Sequence, residues 1–383
     1  QVALDLAGGS VPMTRADDGT WSVTGDPSWN GMSYRYDVEV YVPGTGVVTN
    51  SVTDPYSVAL TLNSTHSVLI DLDDPAFQPT IWTDNAAPVV ENAVDHTIYE
   101  LHVRDFSISD STVPEAERGT YLAFTRQDSD GMTHLRELAD AGLTTVHLLP
   151  TFDIASIEED RSQQQTTGDL SGFAADSREQ QDAVNAIKDQ DAFNWGYDPY
   201  HFFAPEFLRD HRQPGRRRPG GRVPLHGRRP ARGRPAGGAG PGVQPHRRRR
   251  TGRQVRAGQD RARLLPPPDL RRSIETSTCC QNVATENAMA QRLMVDSVVT
   301  WAKDYRVDGF RFDLMGHHSR ENMEAIRAAL DELTLEKDGV DGSAIYLYGE
   351  GWDFGEVSGN ALFTQATQGQ LDGTGIGTFS DRL

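Results

Sequence analysis

The sequence predicts a mixed α/β protein in which an incomplete (β/α)8 barrel follows a small β module. Short alternating apolar runs, separated by turn residues, fill the first 85 residues. Buried strands then alternate with amphipathic helices, which is typical of a parallel sheet. A chain of 383 residues is long enough for about two to three domains.

The β module is predicted over residues 1–85. Alternating runs predict strands at 33–42, 58–62 and 67–72, with a turn cluster at 17–19. Residues 84–91 are typical of a linker. The first part of the barrel is then predicted over 86–206, and its continuation over 273–383.

The barrel elements follow from buried apolar runs for strands and a one-sided apolar pattern for helices. In chain order we expect a strand at 97–103, a helix at 132–141, a strand at 145–150, a helix at 284–302, a strand at 307–313, a helix capped by Ser319, and a strand at 345–350.

Composition excludes several classes of protein. No run of roughly 18 apolar residues occurs, which excludes a transmembrane helix. The two cysteines, Cys279 and Cys280, are adjacent, which excludes a disulfide scaffold and a cysteine-built zinc site. The chain begins at Gln1 and ends within a pattern at Leu383, so we interpret it as a piece of a longer protein.

The charge distribution is uneven. The net charge is −18, but residues 207–272 contain 20 Arg, 3 Asp and neither Lys nor Glu, a local charge of +17. The same tract holds 10 of the 21 prolines and 11 of the 36 glycines. Such a segment buries too little apolar surface to offset its ordering entropy, so we expect it to be disordered and without strands.

Asp313 ends a predicted buried strand. Because side chains alternate along a strand, Arg311 and Asp313 share one face, and Phe310 and Phe312 share the other. In a barrel the phenylalanines would pack on helices. Arg311 and Asp313 would point inward at the carboxyl-terminal rim, where catalytic residues lie. A neighbouring guanidinium lowers the pKa of a carboxyl, which suits Asp313 to the role of a nucleophile.

Glu350 ends the next predicted strand and lies between two glycines, where the backbone can approach a ligand closely. Neighbouring parallel strands would place the carboxyls of Asp313 and Glu350 about 5 Å apart, the separation found in retaining glycosidases. The alternative is a purely structural salt bridge between Arg311 and either acid.

Several motifs occur together and in order: YELHVRDFS (99–107), VHLLPTFD (146–153), NWGYDP (194–199), ETSTCCQN (275–282), GFRFD (309–313) followed by MGHH, YGEGW (348–352) and GTGIGTFSDRL (373–383). Their combination resembles the α-amylase superfamily of glycoside hydrolases, and most closely the bacterial pullulanases of the α-1,6-debranching type. Residues 1–85 resemble the β-sandwich starch-binding-type module that precedes such barrels.

The resemblance implies a role for each matching residue. Asp313 would be the nucleophile, Glu350 the general acid/base, and Arg311 would bind substrate and hold Asp313. His317 would match the sugar-binding histidine after the nucleophile, for which the alternative is a surface histidine. Tyr197 would be the aromatic residue that stacks on the first glycone sugar.

Further candidates accompany these residues. Asp198 lies beside Tyr197 in the sequence. For Tyr197 the alternative role is core packing. Trp195 and Trp352 are weaker candidates for sugar stacking, since aromatic residues in such loops are often structural.

The chain departs from the family pattern twice. The family's third acid lies in a His-Asp pair on a later strand, which the chain does not reach. The family's strand ending in an Asn-His pair should lie between Asp198 and Asp313, where the Arg-rich tract stands instead.

We interpret residues 207–272 as translated in a shifted frame. With suitable synonymous codons, residues 256–267 read one base later give VLDKIVPGYYHR. Residues 207–214 give SYATTANP, and 240–245 give DQVYNH, the missing strand end with its Asn-His pair. Three family-like strings at one offset are hard to obtain by chance, so the tract is assigned no function.

The resemblance implies a retaining hydrolase of α-1,6 branch points in pullulan, starch or glycogen, with an α-glucan polysaccharide as partner. The chain as written is expected to be inactive. The resemblance implies no organic cofactor. A structural Ca²⁺ stays open, although the sequence has no EF-hand-like loop. An extracellular or cell-surface location is expected, without membrane insertion.

Three alternatives stay open. The chain could be a non-catalytic glucan-binding fragment, or have another activity of the superfamily, such as that of an isoamylase or a branching enzyme. Nucleic-acid binding through the arginines is the third, and the charge of −35 on the other residues argues against it.

Overall fold

The computed structural model describes residues 1–6, 9–75, 77–78, 88–188, 190–206, 275–278 and 281–381, together with the backbone of 236–239. The strands of the amino-terminal part are β1 Val2–Leu6, β2 Gly9–Pro12, β3 Thr14–Arg15, β4 Trp21–Ser22, β5 Ser33–Val42, β6 Gly46–Val52 and β7 Ser67–Val68. They form an antiparallel sheet in the order β2-β1-β5-β6, with β7 beside β5. A separate pair, β3 and β4, forms a short hairpin.

The strand predicted at 58–62 is wrong. Within 58–62 the structure has only an isolated bridge at Leu60, and a 3-10 turn follows over Leu62–Ser64. Asn63 and Ser64 have φ values of 55° and 51°, in the left-handed region. The turn directs both residues towards acidic side chains of the second part of the chain, a long-range contact that local alternation does not reveal.

The second part of the chain is mixed α/β, as predicted. Its strands and helices are β8 Ile98–Leu101, α1 Val103–Ser107, α2 Asp130–Asp140, β9 Thr145–Leu148, β10 Phe152–Ile154, α3 Glu179–Ile187, β11 Pro199–Pro205, β12 Ala236–Ala239, α4 Ala288–Lys303, β13 Gly309–Phe312, α5 Arg320–Asp331, α6 Leu335–Asp338, β14 Tyr346–Gly349 and β15 Gly377–Thr378.

Most strands of this part pair in parallel. β8 pairs with β9 and β9 with β12, while β13 pairs with β14 and β14 with β15, all in parallel. The backbone of β12 also lies beside β13. β10 and β11 form a separate antiparallel ribbon.

The prediction that residues 207–272 contain no strand is wrong at Ala236–Ala239. These four residues form β12, which pairs with β9 from Ala236–Thr145 to Ala239–Leu148. Parallel pairing uses backbone N–H and C=O groups, which every residue other than proline supplies, so an Ala-Gly-Gly-Ala segment can form it. The disorder and the shifted frame predicted for the rest of the tract lie outside the described residues.

The main core lies between β13, β14 and the helices that cover them. Phe310 and Phe312 are 1% and 0% exposed and pack with residues of α4 and α5, as the alternation predicted. Ser319 caps α5, as predicted, by accepting the N–H of Asn322, whose side chain accepts the N–H of Ser319 in return. This core fixes the positions of the two strand ends that follow it.

Candidate active site

Asp313 and Glu350 lie side by side at the carboxyl ends of β13 and β14. The two strands pair in register, with Phe312 opposite Gly349, so both acids follow the last paired residues directly. The N–H of Glu350 donates to the carbonyl oxygen of Phe312 at 3.1 Å, which extends the pairing by one residue. The acids are therefore held by sheet backbone rather than by a free loop.

Arg311 joins the two acids. One terminal nitrogen lies 2.5 Å from Asp313 Oδ1 and the other 2.7 Å from Glu350 Oε1. The side chains of Arg311, Asp313 and Glu350 are 8%, 15% and 24% exposed, so the pairs are largely shielded from water. The Arg311–Asp313 contact expected from the strand pattern is present. The second contact, with Glu350, means that one guanidinium sets the distance between both carboxylates.

The surroundings of Glu350 shift the pKa of its carboxyl in opposing directions. Burial raises its pKa, the guanidinium of Arg311 and the N–H of Leu314 act in the opposite direction, and the carboxyl of Asp313 adds to the rise. The net direction is upwards. A raised pKa keeps more of the carboxyl protonated near neutral pH, as proton donation to a leaving group requires.

The acids open into a cleft of about 570 Å³. Its walls combine acidic, aromatic and apolar side chains: Glu100, Leu149, Trp195, Tyr197, Thr278, Arg311, Asp313, Leu314, Glu350 and Phe354. The ring of Tyr197 lies 5.7 Å from the guanidinium carbon of Arg311, and burial raises the pKa of its hydroxyl to about 12. Trp195 is 60% exposed in the same cleft.

Three predicted residues are not among the residues that line the cleft. Asp198 is buried and accepts a hydrogen bond from the hydroxyl of Ser156. His317 is buried behind Phe354, with ring centroids 4.6 Å apart. Trp352 is partly buried.

The backbone of Trp352 packs closely against Gly316. A Cβ built on Gly316 would lie 1.9 Å from the Trp352 carbonyl oxygen. This close approach joins the loop after β13 to the loop after β14.

The cleft also contains residues that the sequence did not single out, among them Glu100, Thr278 and Phe354. Glu100 lies on β8, and its carboxylate is 3.2 Å from Nδ1 of the buried His147 on β9. This contact with His147 lowers the pKa of Glu100, so the cleft wall carries a third acidic side chain whose ionised form is favoured. A charged residue within the apolar run 97–103 was the signal that could have identified it.

Within the described ranges, no group of three or more His, Cys, Asp or Glu side chains is arranged to hold a metal ion. In the same ranges, every helix is too short or too polar to cross a bilayer.

No protein-family model matches the chain. The chain is 40% identical to pullulanase 1, chloroplastic, of Arabidopsis thaliana, and 32% identical to the pullulanase of Klebsiella pneumoniae. These alignments include 99% and 98% of this chain but only 40% and 37% of the relatives. The chain thus spans about two fifths of the length of the curated relatives it matches.

Solved structures agree with the sequence comparison. The crystal structure of ligand-free PulA from Klebsiella pneumoniae superposes with a TM-score of 0.80 at 28% identity, over 100% of this chain and 40% of that one. The maltotriose complex of the same protein gives a TM-score of 0.79 over 45% of its chain. The resemblance inferred from the motifs is confirmed.

Proposed function

We propose that this chain, which is homologous to the pullulanases, is part of a retaining glycoside hydrolase that cleaves α-1,6-glucosidic linkages in pullulan, starch or glycogen. The observation that carries the proposal is the pairing of Arg311 with both Asp313 and Glu350 at the ends of neighbouring parallel strands. Retaining glycosidases use two carboxylates at about 5 Å, and one guanidinium that contacts both supports such a spacing. The separation itself stays a prediction.

The mechanism follows from the environments of the two acids. Glu350, whose pKa is raised, donates its proton to the glycosidic oxygen as that bond breaks. Asp313, which forms an ion pair with Arg311, attacks the anomeric carbon and forms a glycosyl-enzyme. Glu350 then takes a proton from water, which attacks the same carbon and releases Asp313. Two inversions give net retention.

Side chains in the cleft have supporting roles in this proposal. Tyr197 offers its ring to the sugar bound at the acids, and Trp195 offers an exposed aromatic surface farther along the cleft. His317 is the sugar-binding histidine. Trp352 and Asp198 act indirectly, by holding the loops that carry the cleft.

An incomplete (β/α)8 barrel supplies this site in our proposal, with a β-sandwich starch-binding-type module at residues 1–85. Ring contacts support a curled sheet, because β14 meets strands that lie far from it along the sheet. Tyr346 stacks on His96, just before β8, at 4.6 Å, and Tyr348 meets His147 on β9 at 6.0 Å. A flat sheet in the order β8 to β15 would keep these rings apart.

The chain as written is proposed to be inactive. Catalysis in this family needs the third acid and the Asn-His strand, and the sequence from 207 to 272 supplies neither the asparagine nor the histidine at the expected place. A shifted frame near residue 206, restored near residue 273, accounts for that tract. The α-glucan partner, the absence of an organic cofactor and an extracellular or cell-surface location are proposed with it.

The test compares two proteins on pullulan by a reducing-sugar assay. The 383-residue chain should give no measurable hydrolysis, and a full-length protein with the frame restored should be active. Activity of the restored protein on amylopectin but not on pullulan would favour an isoamylase, and branch formation a branching enzyme. Retention on insoluble starch without hydrolysis by either protein would favour the glucan-binding fragment. Robust hydrolysis by the chain as written would contradict the proposed inactivity.

A further inference from the structure

The carboxylate of Glu356 is bound on both oxygens by one neighbouring loop. The hydroxyl of Ser277 donates to Oε2, and the amide of Asn282 donates to Oε1 at 2.5 Å. The same amide lies 2.9 Å from the Ser277 hydroxyl oxygen. Burial acts to raise the pKa of Glu356, but these hydrogen bonds outweigh it, so the carboxyl is ionised and can only accept.

Ser277 also reaches His317. Its hydroxyl oxygen lies 3.3 Å from His317 Nε2. Gly355 makes this approach possible, because a Cβ there would lie 2.3 Å from the Ser277 oxygen and 2.9 Å from Nε2. Gly355 also has a φ of 76°, in the left-handed region that favours glycine.

The hydrogens in this cluster are constrained. A serine hydroxyl has one hydrogen, and that of Ser277 points to the Glu356 carboxylate. Towards Nε2 the Ser277 oxygen can therefore only accept, so Nε2 must carry a hydrogen. Burial lowers the pKa of His317 against the opposing charge of Glu356, so the ring is neutral and its Nδ1 has a free lone pair.

His317 Nδ1 is buried and lacks a hydrogen-bond partner among the described residues. His317 itself is 8% exposed. An unsatisfied buried acceptor costs free energy, so the tautomer is held by the contacts of Nε2 and not by those of Nδ1. The ring packs against Phe354, which lines the cleft, so the imidazole lies one side chain away from the cleft.

We propose that Glu356 and Ser277 are positioning residues that join the segment carrying Ser277 and Asn282 to the loop after β14 and hold His317 in the Nε2–H tautomer. Nδ1, on the other side of the ring, then carries no hydrogen. Both parts of the proposal stand on the geometry of these side chains.

Nitrogen NMR of the full chain with 15N-labelled histidine tests the tautomer near neutral pH. The signals that disappear in His317→Gln are assigned to His317. We expect Nε2–H in the wild type. We expect a mixture of tautomers in Ser277→Ala, and no change in the matched variant Ser343→Ala, whose hydroxyl binds Asp341 at an exposed site. An Nδ1–H or doubly protonated His317 in the wild type, or an unchanged tautomer in Ser277→Ala, would overturn the proposal.

Limited proteolysis tests the loop contact. Glu356→Gln replaces an acceptor by a donor, so one of its two loop hydrogen bonds is lost. Cleavage between residues 275 and 282 should accelerate roughly tenfold. Glu324→Gln, at an exposed pair with Arg320, should leave the cleavage rate unchanged. Equal rates for the two variants would show that Glu356 does not hold the loop.

Discussion

The backbone N–H of Leu314 donates a hydrogen bond to Glu350 Oε2 at 3.0 Å. Leu314 has a φ of 44°, a left-handed conformation that is unfavourable for leucine. The reversal of chain direction after Asp313 thus turns a backbone donor from the first strand end towards the acid of the second. A donor to the ionised form opposes the effect of burial on the pKa of Glu350 and limits its rise.

Replacing Arg311 should separate the effect of its charge on the pKa of Glu350 from its positioning of the two carboxylates. In the frame-restored full-length enzyme, Arg311→Met removes the charge that opposes the rise of the Glu350 pKa. The alkaline limb of the pH profile of kcat should therefore move to higher pH while kcat falls. Arg311→Lys keeps a charge but cannot bind two carboxylates in the planar geometry of a guanidinium, so kcat should fall with a smaller shift. A limb that moves to lower pH would contradict this assignment.

Removing either acid should abolish turnover. In the frame-restored enzyme, Asp313→Asn and Glu350→Gln should each lower kcat on pullulan by more than about a thousandfold, because each replaces a group that changes bonding or protonation in the reaction. Asp353→Asn, in the loop after Glu350 but absent from the cleft lining, is the matched control. Its kcat should stay within roughly twofold of wild type. Retention of activity by Asp313→Asn would rule out its role as the nucleophile.

Much of the site could be predicted because it depends on local alternation. The faces of β13 follow from its period of two, and they place Arg311 with Asp313 and bury Phe312. Cleft residues such as Thr278 and Phe354 could not be found this way. Their position depends on how loops from distant parts of the chain meet above the sheet.

The irregular turn at Asn63 is a second feature that the local sequence pattern does not predict. Its N–H and side-chain amide bind Glu159 and Glu158, nearly 100 residues later in the chain. These contacts stabilise a left-handed backbone that alternation at 58–62 does not predict. Tertiary hydrogen bonding therefore overrode local strand propensity.

His318 should make the fold sensitive to acid. It is buried, and burial together with His317 lowers its pKa to about 4, while Nδ1 lies 2.7 Å from the hydroxyl of Thr285. The unfolded chain binds a proton on this residue below its ordinary pKa, and the folded chain does not. Stability is therefore lost as the pH falls from about 6.5 to about 4, by up to ~3 kcal/mol.

Denaturant unfolding at a series of pH values checks this expectation. His318→Gln should flatten the fall in the free energy of unfolding between these pH limits. His134→Gln, at an exposed position on α2, should preserve the wild-type slope. Parallel curves for His318→Gln and wild type would contradict the role of His318.

Glu159 should make the fold less stable as the pH rises. Burial, with Glu206 and Asp153 nearby, raises its pKa to about 9. The folded chain keeps this proton where the unfolded chain releases it, so stability falls as the pH rises from about 4.5 towards 9. Glu159→Gln keeps an acceptor for the Asn63 N–H and needs no proton. Its free energy of unfolding should exceed that of the wild type by ~1–3 kcal/mol near pH 8 and equal it near pH 4. The control Glu332→Gln, at an exposed site, should match the wild type at both pH values.

Gly316→Ala should misalign the two acids. The Cβ would lie 1.9 Å from the carbonyl oxygen of Trp352, and because that atom belongs to the backbone it cannot rotate away. The loop after β13 must then move from the loop after β14, at a cost of about 2–3 kcal/mol in the free energy of unfolding. In the frame-restored enzyme kcat should fall more than KM changes, since the displaced loops begin at Asp313 and Glu350. Gly172→Ala, where a Cβ meets no atom within 4 Å, is the matched control and should change stability by less than about 0.5 kcal/mol. Wild-type stability and kcat in Gly316→Ala would show that this contact between the loops does not hold the acids in place.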